Sequence, residues 1–338
     1  MVISSFTIFA WVVKPAIGYV IDNFLDKKIW IFISVVLDIV TVVFLGVMFL
    51  PIVILVGLMV FNSANSAFRD VAVDGIMCVE GKKDKTTGKI QSIQWISISV
   101  AAMVVGIGGG YIAEKFGYRQ AFLCLVPIYL AVGLTTHFYR EEKTTYVKRS
   151  STFVNDMKKI FADKRILIVG LFIFLYKFSP SFGTPLFFIQ RDVFHWGKIW
   201  IGTLTTIGTL FGIAGSILYY RYSQKINLKK WLFFSVFLGA VTSLSYLYYT
   251  PVTAVAYDII YSLIGMFIFL MVMDFMARKT VAGLEATSFA LLTSVSNLAL
   301  VASNLSGAYL LPKVGLNGLI IASALASFLC LPLISKID

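Results

Sequence analysis

The sequence predicts an all-α polytopic membrane protein of about eleven transmembrane helices in two pseudo-symmetric bundles. Three observations carry this. First, 59% of the 338 residues are hydrophobic and 14% are charged, with mean hydropathy +0.87. Several apolar runs exceed the roughly 20 residues that cross a bilayer. Second, the basic residues concentrate in alternate loops. Third, stretches about 200 residues apart resemble each other. A transmembrane β-barrel would instead show segments of about ten residues with alternating polarity, and that pattern is absent.

In chain order the predicted spans are 2–22, 29–50, 52–79, 90–113, 118–138, 165–190, 199–219, 230–249, 252–275, 284–310 and 316–334. Met1 runs straight into apolar residues with no basic leader, so no cleavable signal peptide is expected. Twenty-one of the 29 Lys and Arg residues fall in one set of alternate loops and five in the other. The basic set is therefore expected to be cytoplasmic. This orientation places the C-terminus inside and the N-terminus outside. The longest loop, 139–164, is basic and polar and divides the chain into bundles 1–138 and 165–338. Its stretch Phe153–Phe161 reads either as an amphipathic surface helix or as part of a flexible tether.

The net charge of +12 resides in those loops, which argues for a lipid bilayer as partner and against nucleic acid. Cys78, Cys124 and Cys330 have no metal-like spacing, and His137 and His195 are isolated. No metal site and no cofactor are expected. Neither H-E-x-x-H nor G-x-S-x-G occurs, which argues against an enzyme.

The repeat has two parts. K-K-I-W-I-F-I-S-V-V at Lys27–Val36 resembles K-K-W-L-F-F-S-V-F-L at Lys229–Leu238. G-G-G-Y-I at Gly108–Ile112 resembles S-G-A-Y-L at Ser306–Leu310. Related halves with a binding site between them describe the major facilitator architecture. On that plan the eleven spans are helices two to twelve, and the first helix is expected to have been lost by truncation.

Charges inside spans mark candidate sites, because each costs about 2.5–3.5 kcal/mol on insertion scales. The richest stretch is Phe68–Glu80, F-R-D-V-A-V-D-G-I-M-C-V-E. Asn62, Asn65, Ser66 and Arg69 share a helical stripe, with Asp70 and Asp74 on its edge. Arg69 is placed to clamp an anion. Asp70 or Asp74 either takes up a proton or pairs with Arg69; alternatively, Arg69 and Asp70 form a structural lock. Glu80 is a gate or loop contact. Lys14 lies mid-span beside the helix-kinking Pro15 and needs an acidic or carbonyl partner. Lys177 precedes Ser179-Pro180-Ser-Phe-Gly183-Thr-Pro185, an interrupted helix of the kind that lines carrier sites. Asp38 and Asp258 are lone acids in apolar runs, either proton carriers or, for Asp258 nearer the external end, hydrated.

Four further residues are candidates. Asp274 and Arg278 stand at i, i+4 and are placed to pair. Glu285 opens a helix where negative charge is favoured, and Asn297 shares a stripe with Thr293 and Asn304. Gly106-x-x-x-Gly110 and Gly208-x-x-x-Gly212 offer small faces for close helix packing.

Gly18-Tyr-Val-Ile-Asp22 with Asp26-Lys27-Lys28 resembles the major facilitator motif between its second and third helices. There Asp22 is placed to pair with a basic neighbour or to cap a helix. Together with Lys14-Pro15, Asp70-Val-Ala-Val-Asp74-Gly, Gly88-x-x-Gln91-Ser92-x-x-Trp95 and Gly283-Leu-Glu285-Ala-Thr287, the chain resembles the folate–biopterin transporter family, a major facilitator branch. The resemblance runs from Lys14 to about Gly315. It implies carriage of a folate or pterin coupled to protons. On this reading Lys14, Arg69, Asp70, Asp74, Gln91, Trp95, Lys177 and Asn297 are the candidate substrate contacts. Asp22, Asp38, Asp74, Glu80, Asp274, Arg278 and Glu285 are the candidates for coupling or gating. The alternatives are a carrier of another organic metabolite and a non-transporting protein of the same fold.

Overall fold

The computed structural model describes residues 14–49, 51–141 and 153–336, without the side chains of Phe153, Asp156 and Lys198. The described residues form helices joined by short turns and irregular segments and contain no strand. The helices are α1 Lys14–Asn23, α2 Lys27–Val47, α3 Ile52–Lys83, α4 Thr87–Phe116, α5 Tyr118–Phe138, α6 Phe153–Ala162, α7 Lys164–Lys177 and α8 Gly183–Phe188. They continue with α9 Lys198–Tyr222, α10 Leu228–Ser245, α11 Pro251–Arg278, α12 Glu285–Ser327 and α13 Leu331–Ile334.

Eight helical stretches among these residues are long and apolar enough to cross a membrane. The last of them, Glu285–Ile334, contains both of the last two predicted spans, broken where Gly315 takes φ 67°. The first predicted span is described only from Lys14, and the sixth is split into α7 and α8. Large apolar side chains stay exposed along the helices, with Phe49 91%, Val53 77% and Ile199 88% accessible. That much uncovered apolar area suits lipid as the surrounding solvent.

Local chemistry sets the helix ends. Thr250 and Thr253 form a reciprocal capping box behind Pro251 at the start of α11. Asn227 accepts from the Lys230 amide ahead of α10, and Asp163 from the Arg165 amide ahead of α7. Gly117, at φ 92°, turns the chain between α4 and α5. The break predicted at Ser179–Pro185 is present between α7 and α8. Its backbone is satisfied by Ser303, whose Oγ donates to the Ser179 carbonyl and whose main-chain carbonyl accepts from the Ser181 amide.

The chain forms two compact units. Unit 1 is residues 1–80, 100–162 and 280–294; unit 2 is 81–99, 163–279 and 295–338. In unit 1, Ile17, Ile21, Ile31, Val35, Val71 and Ala290 belong to one buried apolar cluster. The predicted loop helix forms as α6, whose Ile160 is fully buried; residues 142–152 of that loop lie outside the described set. In unit 2, α9 and α11 pack along their lengths.

The two predicted small faces differ in outcome. A Cβ at Gly208 would lie 2.8 Å from Ser262 Oγ, and one at Gly212 would make ordinary contact with Met266. At Gly106 and Gly110 a Cβ would meet no described residue within 4 Å, which corrects the expectation of packing there. The helix runs through a π-turn at Val105–Gly109, and Gly108–Gly110 face an apolar cavity instead of a helix.

Each unit also repeats one small fastening. Lys28 Nζ donates to the carbonyls of His137 (2.7 Å) and Tyr139 (2.6 Å) at the end of α5. Lys229 Nζ donates to the Ser335 carbonyl (3.3 Å) just beyond α13. A cation on the orphan carbonyls of a helix end is favourable in both. One lysine of each repeated Lys-Lys pair thus reaches the end of a helix, although not the lysine at the matching position.

Candidate functional site

The polar stripe on α3 faces α2. Asp38 is fully buried there. It accepts from Asn62 Nδ2 (2.9 Å) and Asn65 Nδ2 (2.7 Å) and forms an ion pair with Arg69. Asn65 also donates to the Ser34 carbonyl at 2.7 Å. The Arg69 guanidinium lies 5.6 Å from the Tyr129 ring centre. Two expectations change. Asp38 is not a lone acid, and Arg69 pairs with Asp38 rather than with Asp70 or Asp74. Neighbours at i, i+1 on a helix point in different directions, so Asp70 is poorly placed for Arg69. Asp70 instead takes Lys14, at 2.6 Å, which supplies the acidic partner that Lys14 requires. Asp74 is buried on the same helix.

Asp22 does both things its motif allows. Its carboxylate accepts from the Ala286 amide (3.3 Å), the Thr287 amide (2.8 Å) and the Thr287 hydroxyl (2.7 Å), and Lys27 Nζ stands 3.6 Å away. It thus caps the first turn of α12, whose free amides favour an anion. Gly18 permits this contact, since a Cβ there would lie 2.7 Å from the Thr287 Cα. Glu285, in that same first turn, is half-buried. Glu80 accepts from the Tyr139 hydroxyl at 3.3 Å, so it has a contact at the start of the long loop.

Unit 2 has a counterpart. Asp274, with no exposed surface, accepts from the hydroxyls of Thr87 and Tyr219 (2.7 Å for the latter). Arg278 binds it through Nε (2.9 Å) and Nη2 (2.7 Å), the predicted i, i+4 pair. Gly88 makes room, because a Cβ there would sit 2.7 Å from Asp274 Oδ2. Sequence reasoning missed Thr87 and Tyr219, which are 187 and 55 residues from Asp274. The repeat offset points to one of them. Asp74 and Asp274 differ by 200 positions, as do Thr87 and Thr287. Each Thr starts a helix held by a buried carboxylate.

Unit 2 also contains a cavity of about 690 Å³, a volume typical of small-molecule sites. Trp95, Gln190, Thr205, Asp258, Tyr261 and Phe269 are among its lining residues. Trp95 meets Phe269 edge-on at 4.6 Å, and Lys177 Nζ lies 5.2 Å from the centre of the Phe269 ring. Gln91 is buried in the same unit. Asn297 is exposed, and it makes no ion pair or hydrogen bond to a described residue. The structure therefore brings together Lys14, Asp38, Arg69 and Asp70 in unit 1, and Trp95 and Lys177 in unit 2.

Comparison with known proteins agrees with this architecture. Residues 1–284 match the Major Facilitator Superfamily model. A folate-biopterin transporter of Synechocystis sp. is 25% identical over 276 residues, 77% of this chain and 56% of that protein. The chain thus spans little more than half the length of that relative. A probable folate-biopterin transporter of Arabidopsis thaliana is 21% identical over 93% of this chain and 81% of its own. Among solved structures, the E. coli fucose:proton symporter FucP superposes with TM-score 0.78 at 11% identity, covering 99% of this chain and 90% of that one. The human organic anion transporter TETRAN gives 0.76 at 13% identity, covering 98% and 82%. These are transporters rather than enzymes. The chain belongs to the Major Facilitator Superfamily, and its relatives are consistent with membership of the folate–biopterin transporter branch.

Proposed function

We propose that the protein is a secondary transporter that moves a folate, a biopterin or a related pteridine by alternating access, coupled to protons. The observation that carries the coupling is the buried ion pair between Asp38 and Arg69 on apolar helices. An intramembrane pair of this kind is costly to keep unless it works. Protonation of Asp38 neutralises its charge and frees the Arg69 guanidinium for an anionic substrate; loss of the proton restores the pair. Asp74, buried on α3 with Arg69, is a second candidate carrier. The names of the relatives support the substrate class.

In this reading residues 1–138 and 165–338 are the two rocking bundles, joined by the basic tether 139–164, with the C-terminus cytoplasmic. Asp22 on the first turn of α12 and Asp274 on the first turn of α4 are gate contacts that release when access changes. The test is uptake of radiolabelled folate and biopterin by proteoliposomes carrying the full chain. Saturable uptake accelerated by an inward proton gradient is expected. Uptake of neither compound removes the substrate assignment; uptake unaffected by the gradient removes the coupling.

A further inference from the structure

Two charged side chains of unit 2 stand apart from the rest. Asp258 on α11 and Lys177 at the end of α7 form no ion pair and no hydrogen bond with any described residue. Both are half-buried on apolar helices. A charge held this way loses solvation with no protein partner in return. Asp258 lines the 690 Å³ cavity; Lys177 stands over the ring of Phe269, which lines it too. Asp258 and Phe269 are eleven residues apart on one helix, about 16 Å along its axis. Tyr261 lies one turn from Asp258, and Trp95 meets Phe269 edge-on. The cavity therefore has an acidic end at Asp258 and aromatic walls, and Lys177 stands behind one of those walls, over the ring of Phe269.

We infer that this cavity binds an elongated heteroaromatic anion end to end, with its N–H-rich ring on Asp258 and its carboxylate arm on Lys177. The inference rests on the pteridine reading and deepens it. An aminopyrimidinone edge presents adjacent N–H donors that match a carboxylate in a paired, charge-assisted geometry. Tyr261 offers that ring a flat face. Trp95 and Phe269 enclose an aryl linker, and Lys177 neutralises the acid beyond it. A compact pterin without an acidic arm uses the Asp258 end alone. The cavity thus ranks folate-like above biopterin-like ligands, through Lys177.

The experiment is equilibrium binding of tritiated folate and biopterin, with p-aminobenzoylglutamate as the arm alone, to the full chain in lipid nanodiscs. Lys177→Gln is expected to weaken folate and p-aminobenzoylglutamate about tenfold or more, the loss of one charged hydrogen bond, and to leave biopterin unchanged. Asp258→Asn is expected to weaken folate and biopterin by a similar factor and to spare p-aminobenzoylglutamate. Equal loss of folate and biopterin in Lys177→Gln, or no loss of either in Asp258→Asn, overturns the inference while wild-type binding stands. Wild-type protein that binds none of the three overturns the pteridine reading and this inference with it. Each variant decides alone, so misfolding of one leaves the other decisive, and Lys177→Arg is expected to restore folate binding.

Discussion

The two units treat charge inside apolar helices differently. In unit 1, Lys14 is closed onto Asp70 and Arg69 onto Asp38, with Asn62 and Asn65 filling the remaining acceptor positions of Asp38. In unit 2, Asp258 and Lys177 have no counter-charge among the described residues. Unit 1 pairs these charges internally; unit 2 does the same for Asp274 with Arg278 but leaves Asp258 and Lys177 without a counter-charge among the described residues. A charge inside a span is thus not by itself a binding residue. Whether it already has a partner divides a charge that must first be released from one that is open in this structure.

The largest effect should come from breaking a closed pair. Arg69→Met leaves Asp38 buried without its cation and is expected to destabilise unit 1 by about 3–5 kcal/mol. Thermal unfolding in detergent and the yield of monodisperse protein measure this. The double variant Asp38→Asn with Arg69→Met should recover most of the loss, because no uncompensated charge remains. Lys177→Met in unit 2 is the control. It removes a charge with no partner and should be neutral or stabilising. A Lys177→Met protein as damaged as Arg69→Met would erase the distinction between the units.

The carboxylates that hold the starts of α4 and α12 come next. Asp274→Ala orphans Thr87, Tyr219 and Arg278 together, while Asp22→Ala removes a helix cap and the nearby Lys27 interaction. Losing a cap costs about 1–2 kcal/mol. Leaving several buried donors unsatisfied costs about 1–3 kcal/mol for each group. Asp274→Ala should therefore lower the melting temperature more than Asp22→Ala. Equal effects would mean that Arg278, whose side chain is 31% exposed, turns to water and recovers its share.

Coupling is sharpened by function rather than stability. With Asp38→Asn, Arg69 is released permanently, and uptake should lose its acceleration at acidic external pH while surface expression persists. Asp74→Asn tests the second candidate in the same assay. A variant whose pH profile matches the wild type does not replace the coupling residue.

Much of the architecture was legible because hydropathy and loop charge act over whole segments. The span positions, the break at Ser179–Pro185 and the Asp274–Arg278 pair follow from local rules of length, proline and helical spacing. Pairing across helices was harder. Lys14 advertised its need for an acid, but nothing local chose Asp70. The partner of Arg69 was missed because an adjacent acid in sequence is not an adjacent acid in space. Asp38 looked isolated because its partners lie 24, 27 and 31 residues away on the next helix. The cavity around Asp258 was illegible for the same reason: it collects residues from α4, α8, α9 and α11, and no spacing rule joins them.

The smallest effects concern glycine, where pattern and packing part company. Gly106-x-x-x-Gly110 and Gly208-x-x-x-Gly212 look alike in sequence, yet only the second lies on a helix crossing. The tightest point of that crossing falls outside the motif, at Gly215, where an added Cβ would run into the Leu263 carbonyl. That oxygen is backbone and cannot rotate away. Gly215→Ala should therefore force α9 and α11 apart, at about 1–3 kcal/mol for overpacking. Gly208→Ala meets the hydroxyl of Ser262, a side chain able to change rotamer, and should be milder. Gly106→Ala meets nothing and should gain about 0.5–1 kcal/mol of helix preference. The expected melting order is Gly106→Ala above wild type, then Gly208→Ala, then Gly215→Ala. A destabilised Gly106→Ala protein would mean that the open face of α4 is covered when the chain sits in its membrane.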